Sequence, residues 1–375
     1  MAGIYIHIPF CKQKCHYCNF FSVASVKWRE EFVQALLKEI ELWKDYLEGE
    51  KVNTIYFGGG TPSLLRIEHL TLIFEHLTFH FDIDHSAEIT LEANPDDLNA
   101  DFLRGLKAAT PVNRLSIGIQ SFFDDDLQYL NRVHNSDQAK RAVELARNAG
   151  FDNLTIDLIY GIPTLTDEKW AKNLETFFSL DIPHLSAYSL TVEQKTPLAL
   201  LIEKGKYAQV DENQSVGHFR MLLEATKTHD FIHYEISNFA KEGFYSKHNS
   251  LYWLGGHYLG LGPSAHSFNG SSRQWNVSNI GKYIKLDDFQ TSVEEKEVLT
   301  IEQRYNEYVM TSLRTVWGCD TVHILNVFGE KYESYFLRKA LPFLEKKHLY
   351  HEGTKYFLTD AGKLFADGIA GELFF

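Results

Sequence analysis

The sequence predicts an α/β fold: a partial barrel of six parallel strand–helix units, (β/α)6, followed by a C-terminal α+β domain of winged-helix type. Three observations carry this. Short β-rich apolar runs recur between helical patterns. There are six of them, too few to close an eight-stranded barrel. From about Leu299 the pattern turns to helices that end in two short extended pieces.

The predicted strands are Ile4 to Ile8, Thr54 to Phe57, Glu88 to Glu92, Leu115 to Ile119, Leu154 to Ile159 and Leu185 to Leu190. Between the first two, Leu36, Ile40, Trp43 and Leu47 recur at three and four residues, the period of one helical face. Later intervals hold helical stretches around Leu65 to Leu77, Asp97 to Leu106, Asp137 to Asn148 and Asp167 to Phe178. Such alternation calls for a parallel sheet with helices outside it, open at one side, whose ligands gather at the carboxyl ends of the strands. Past Leu299, one helix carries Tyr305, Met310 and Leu313, and another carries Tyr335, Leu337, Leu341 and Leu344. His348 to His351 and Tyr356 to Thr359 then flank the turn Glu352-Gly353-Thr354, with a last helix from Asp360. Three units are expected: 1–200, the partial barrel; 201–298, a barrel extension and connection; and 299–375, the winged-helix-like domain.

At 375 residues with 44% hydrophobic content, the chain can bury one large core and a smaller one. No run approaches a membrane span, and cleaving a leader would remove the cysteine loop itself, so a soluble protein is expected. The net charge of -13 argues against nucleic acid, which needs clustered positive charge. The C-terminal domain shares that absence, with nine Lys and Arg against ten Asp and Glu in residues 300–375. It is expected to cover the open barrel or meet a protein partner.

Three cysteines, Cys11, Cys15 and Cys18, follow the first strand at spacings C-x3-C-x2-C. An iron-sulfur cluster ordinarily takes four thiolates, so a three-cysteine loop leaves one iron open. Zinc would need a fourth ligand from His7, His16 or a distant residue. The remaining cysteine, Cys319, is far away in sequence and reads as a small core residue. Usage this sparse suits a reducing cytosol. The loop resembles the signature of the radical S-adenosylmethionine (SAM) superfamily. That resemblance implies a 4Fe-4S cluster whose open iron chelates the methionyl amine and carboxylate of SAM.

Further motifs fall at strand ends. Gly58-Gly59-Gly60-Thr61-Pro62 follows the second strand, where glycine lets backbone approach a ligand closely. Such a turn is common in α/β proteins; after the cysteine loop its order matches the superfamily, where it meets the methionyl amine. Glu92 ends the third strand and Gln120 the fourth, with Arg132 just beyond and Asp157 within the fifth. Charged residues at strand ends are commonly solvated, and Asp126 is a local partner open to Arg132. Asp157, between Ile156 and Leu158, is costly to bury without a partner. The contexts Leu91-Glu92-Ala93-Asn94-Pro95, Ser116-Ile117-Gly118-Ile119-Gln120-Ser121 and Ile156-Asp157-Leu158-Ile159-Tyr160-Gly161 resemble the oxygen-independent coproporphyrinogen III oxidase family. By that resemblance Glu92 and Arg132 hold the carboxylate end of SAM, Gln120 and Asp157 its adenosine, and Tyr5 and Tyr17 pack close by.

Local departures select a branch. The oxidases continue the loop as C-x2-C-x-C and carry an N-terminal extension; here Asn19 is followed by Phe20, and the first strand opens the sequence. An addition is His248-Asn249-Ser250-Leu251-Tyr252-Trp253, which resembles the H-N-x-x-Y-W sequence of the HemW-type heme chaperones. A neutral imidazole from His248 can ligate heme iron, and Tyr252 and Trp253 can supply flat apolar surface. Among 17 histidines most are surface or hydrogen-bonded groups, and His257 and His266 compete for the role. The resemblance implies a cytoplasmic heme chaperone carrying a 4Fe-4S cluster, SAM and heme. Its partners would be heme-acceptor proteins, respiratory ones among them, which would bring the chain to the membrane surface; a homodimer stays open. The alternative is the oxidase itself, decarboxylating two propionates of coproporphyrinogen III to vinyl groups by radical SAM chemistry.

Overall fold

The computed structural model describes residues 2–286 and 293–375. In chain order the first half gives β1 (Ala2–Ile8), α1 (Arg29–Leu42), β2 (Val52–Gly59), α2 (Ile67–His80), β3 (Ile83–Ala93), α3 (Ala100–Ala109) and β4 (Arg114–Gln120). It continues with α4 (Asp124–Tyr129), α5 (Ser136–Asn148), β5 (Asn153–Tyr160), α6 (Asp167–Ser179) and β6 (His184–Ser189). Then follow α7 (Pro197–Glu203), α8 (Glu212–Thr228), β7 (Ile232–Glu235), β8 (Asn238–Ala240) and α9 (Lys247–Trp253). Next come β9 (His257–Leu261), β10 (His266–Phe268), β11 (Ser272–Asn276), α10 (Ile280–Tyr283) and β12 (Val293–Val298).

All twelve strands join one open sheet in the order β12-β11-β10-β9-β1-β2-β3-β4-β5-β6-β8-β7. The strands β1 to β6 are parallel in sequence order, so the predicted partial barrel is present. A seventh parallel strand, β9, pairs with β1 on its other side and was not predicted. Its sequence, His-Tyr-Leu-Gly-Leu, is short and broken by glycine, and no long amphipathic helix precedes it. The remaining strands add antiparallel pairs at both edges.

Side-chain alternation divides each strand between two environments. On β1, Ile4, Ile6 and Ile8 are fully buried in the main core, which also holds Phe32, Leu36 and Ile40 of α1. The other face of β1, with Gly3, Tyr5 and His7, looks into the barrel, where a side chain at Gly3 would strike Leu251, Thr54 and His248. Helix α1 ends earlier than its apolar period implies. Trp43 is its C-cap, and Leu47 is buried from a run of turns that ends with Glu48 and Gly49 at positive φ.

The C-terminal residues form α11 (Ile301–Leu313), β13 (Cys319–Asp320), α12 (Thr321–Phe328) and α13 (Glu330–Glu345). They close with β14 (Leu349–Glu352), β15 (Lys355–Leu358), α14 (Asp360–Lys363) and α15 (Ala366–Glu372). Strand order β13-β15-β14 behind three helices is the predicted winged-helix arrangement. A separate core holds it together, with Tyr305, Val309, Phe336 and Cys319 fully buried. On α13 the buried stripe is Tyr332, Phe336 and Ala340, spaced four apart, whereas Leu337 and Leu341 face solvent.

Candidate functional site

The cysteine loop leaves β1 at Pro9 and is pinched at its neck, where Cys11 N donates to Val23 O and Val23 N to Pro9 O. Its far side rests on the segment before Arg132: His16 N donates to Leu130 O, and Asn131 Nδ2 to Lys14 O at 2.9 Å. Lys12 pairs with Asp96 at 2.7 Å and also with Asp97, tying the loop to the turn after β3. The loop is therefore positioned over the carboxyl ends of β1 to β4 by both backbone and side-chain bonds.

Under it lies a cavity of about 500 Å³. Cys11, Cys15 and Cys18 line one end together with Tyr17, and Gly59, Gly60 and Thr61 form one wall. Glu92, Gln120, Arg132 and Asp157 line the rest. Tyr5 is not among the lining residues. It sits behind the wall, stacked near Tyr56, with its hydroxyl 3.2 Å from His7 Nδ1, because its rung on β1 lies below the level of the cavity.

The glycine turn has a steric reason. A Cβ at Gly60 would lie 2.7 and 2.8 Å from the carbonyl oxygens of Phe10 and Ile8, and Gly59 takes a φ of +104° against the His7 ring. Gly59 N donates to Glu92 Oε2 at 3.2 Å and Tyr56 OH to Glu92 Oε1 at 2.8 Å, which fixes the carboxylate. Gln120 holds a φ of +68°, beside a register shift between β4 and β5. A left-handed glutamine at a strand end is a conformation that surrounding structure must impose, and it turns the side chain into the cavity.

Arg132 points into the cavity and away from Asp126, whose oxygens accept from Ser121 and Thr164 instead. Its Nη1 lies 3.3 Å from Cys15 Sγ, while Nη2 donates to Asn94 Oδ1 and to Gly118 O at 2.8 Å. The buried Nε has no partner among the described residues. Asn94, within Leu91-Glu92-Ala93-Asn94-Pro95 but not marked by that pattern as a site residue, bridges Arg132 to Thr61 Oγ1 at 3.1 Å. Phe20 and Tyr188 also line the cavity.

The electrostatics divide the cavity in two. Burial pushes Glu92 up to about 7 and Asp157 up to about 6, and the charge of Asp157 adds to the shift at Glu92. Two carboxylates that resist ionisation are ready for a cationic ligand, which would restore their charge. Burial likewise raises the Cys11 thiol, and it raises the Cys18 thiol to about 11. Metal binding removes such protons, since the thiolate is the ligand. Among the described residues no three His, Cys, Asp or Glu side chains are gathered closely enough to hold a single metal ion. Three thiols at one end of a roomy cavity, facing a glycine turn and buried carboxylates, fit a three-thiolate cluster with a zwitterionic, cationic cosubstrate beside it.

The H-N-x-x-Y-W hexapeptide lies elsewhere, on α9, which enters the barrel from below. There the imidazole of His248 is buried and hydrogen-bonded. The residue is 1% exposed, its Nδ1 is 2.9 Å from Thr54 Oγ1 and its Nε2 is 2.8 Å from Tyr252 OH. The ring also stacks on Tyr56 at 5.1 Å. Burial lowers its pKa to about 3, which keeps the ring neutral, and both nitrogens are hydrogen-bonded within the protein. Asn249 starts the helix by donating its backbone N–H to Ser246 Oγ, and Trp253 lies under the Arg314 guanidinium at 5.5 Å.

Comparison with known proteins agrees with this geometry. The radical SAM superfamily family model matches residues 5–177. A heme chaperone HemW of Bacillus subtilis strain 168 is 33% identical, covering 99% of this chain and 98% of that protein. HemW of Lactococcus lactis is 32% identical over 96% and 93%, and that of Escherichia coli K12 is 37% identical over 70% and 69%. Among solved structures, coproporphyrinogen III oxidase from Escherichia coli, described as a radical SAM enzyme, superposes with a TM-score of 0.85. It covers 99% of this chain and 89% of that one at 22% identity, a likeness of fold. The chain belongs to the HemW family of the radical SAM superfamily.

Proposed function

We propose that this protein is a heme chaperone, binding heme and passing it to acceptor proteins, with a 4Fe-4S cluster on Cys11, Cys15 and Cys18 and SAM in the adjoining cavity. The observation that carries the reading is the near-full-length kinship with proteins named heme chaperones. Phe20, which lines the cavity where the oxidases place a further cysteine, supports the same branch. Bound there, the cluster would supply an open iron and an electron to SAM. Glu92 and Arg132 hold the methionyl end, Gln120 and Asp157 the adenosine, and Tyr17 packs close by. The units 1–200, 201–298 and 299–375 divide the work between cofactors, heme and partner. By family resemblance the acceptors include respiratory proteins, reached from the cytoplasm at the membrane surface; no helix among the described residues is long and apolar enough to cross a membrane.

The test is an anaerobic reconstitution followed by two assays on one preparation. Hemin titration and transfer to an apo-acceptor should succeed, and coproporphyrinogen III with SAM and a low-potential reductant should yield no vinyl product. Catalytic appearance of protoporphyrinogen would make the protein an oxidase and overturn the proposal.

A further inference from the structure

Glu92 is held from behind the cavity wall. Strand alternation turns Tyr56 of β2 into the barrel, where its hydroxyl donates to Glu92 Oε1 at 2.8 Å. We propose that Tyr56 is a positioning residue for the cosubstrate: it aims the Glu92 carboxylate into the cavity, and helix α9 holds Tyr56 in place for that task. This deepens the SAM-binding part of the proposed function and rests on it.

The ring of Tyr56 lies between two others. It stacks on Tyr5 of β1 at 6.2 Å and on His248 of α9 at 5.1 Å. His248 is itself fixed, with Nδ1 2.9 Å from Thr54 Oγ1, Nε2 2.8 Å from Tyr252 OH and its backbone N–H donating to Glu88 Oε1 at 3.1 Å. The tyrosine that carries the hydroxyl is therefore seated by β1 on one side and by the H-N-x-x-Y-W helix on the other. Gly58 leaves the room for this contact. A Cβ there would lie 2.9 Å from the Tyr56 ring, 3.0 Å from the Tyr5 ring and 3.1 Å from Glu92 Oε1.

A phenol that donates to a carboxylate stabilises its charged form. Burial is the largest influence on Glu92 and raises its pKa; the Tyr56 hydrogen bond is the strongest influence in the other direction, ahead of Gly59 N and the Arg114 charge. The other titratable or charged groups facing Glu92 are Asp157 of β5, Arg114 of β4, Tyr5, Tyr188 of β6 and Tyr252 of α9. Burial raises all three of these tyrosines, and Tyr56 with them, so each keeps its proton at neutral pH. Without the Tyr56 hydroxyl, Glu92 would ionise only at higher pH, and a cationic cosubstrate would meet a neutral acid where it now meets a carboxylate.

The experiment is titration of SAM into the anaerobically reconstituted full chain between about pH 6 and pH 9, on wild type, Tyr56→Phe, Glu92→Gln and the double variant, with folding checked by circular dichroism. Tyr56→Phe keeps the stacked ring and removes only the donor. It should weaken SAM binding roughly fivefold near pH 7, the effect of raising by about one unit a carboxylate that titrates at about 7, and the gap should narrow toward pH 9. Glu92→Gln alone should lose the upper part of the wild-type pH dependence, and adding Tyr56→Phe to it should change the profile no further. Unchanged affinity in Tyr56→Phe, a gap that is the same at every pH, or a full pH dependence in Glu92→Gln overturns the assignment alone. Absence of SAM binding by wild type whose cluster is independently confirmed overturns it together with the SAM-binding reading.

Discussion

Glu39 shows how a single side chain can be legible as a type and illegible as a role. In the sequence it is one of several acidic residues on an amphipathic helix. In the structure it is fully buried and accepts from Gly262 N at 2.7 Å, Tyr283 OH at 2.5 Å and Asn276 Nδ2 at 2.6 Å, so it pins α1 to the turn that sets up β10. Burial outweighs these bonds and raises its pKa to about 7. The folded state therefore keeps a proton that the unfolded chain loses near the ordinary carboxylate pKa. By linkage, stability falls as pH rises from about 4.5 to about 7, by on the order of 3 kcal/mol from this group. Glu39→Gln should flatten the pH dependence of the urea midpoint in that window; an unchanged slope would refute the assignment. The cavity carboxylates carry a second expectation. Because Glu92 and Asp157 titrate at about 7 and about 6 before a ligand arrives, affinity for cationic SAM should strengthen from pH 6 to pH 8 and then level. Calorimetric titration at three pH values checks this, and a flat profile would mean that neither carboxylate meets the cosubstrate.

Elements were readable where one apolar period ran through them. The strands β1 to β6 stood out because each apolar run sits between helical stretches, and α5 and α11 start at capping boxes on Asn135 and Thr300. The helix α9 did not yield to that logic. Its His248, Tyr252 and Trp253 read as a ligand with an aromatic platform; in space His248 and Tyr252 pack into the barrel floor, and Trp253 meets Arg314. There His248 N donates to Glu88 Oε1 at 3.1 Å and the ring bridges Thr54 and Tyr252. Sequence spacing shows which residues share a helix face, and it cannot show that the face is inserted into a barrel. Removing this imidazole should act on stability. His248→Ala deletes two side-chain bonds and leaves a void against Tyr56, a cost of about 2–4 kcal/mol in chemical denaturation. An unchanged urea midpoint in His248→Ala would show that the buried ring does not hold the barrel floor together.

At the scale of the molecule, the cofactor site was legible because its parts are fixed at the ends of successive strands, so order in sequence becomes proximity in space. The bridging role of Asn94 and the left-handed backbone of Gln120 were not, since both depend on neighbours brought in from other strands. The same holds for the joint between the two cores. Val316 N donates to Tyr234 O at 2.9 Å, Glu235 bridges Thr315, and Arg314 covers Trp253. Trp317 meets Tyr234 at 6.4 Å and Tyr245 at 6.3 Å, both edge-on. Arg273 on β11 reaches Glu307 on α11, so the C-terminal domain is fastened to β11 of the main sheet. Exposed ion pairs contribute little, which leaves the aromatic contacts as the main adhesive. Trp317→Ala should weaken the joint by about 1–3 kcal/mol without opening either core. Differential scanning calorimetry should then resolve a lower transition for residues 299–375 ahead of the barrel. A single transition at the wild-type temperature would show instead that the two cores melt as one unit held by backbone pairing.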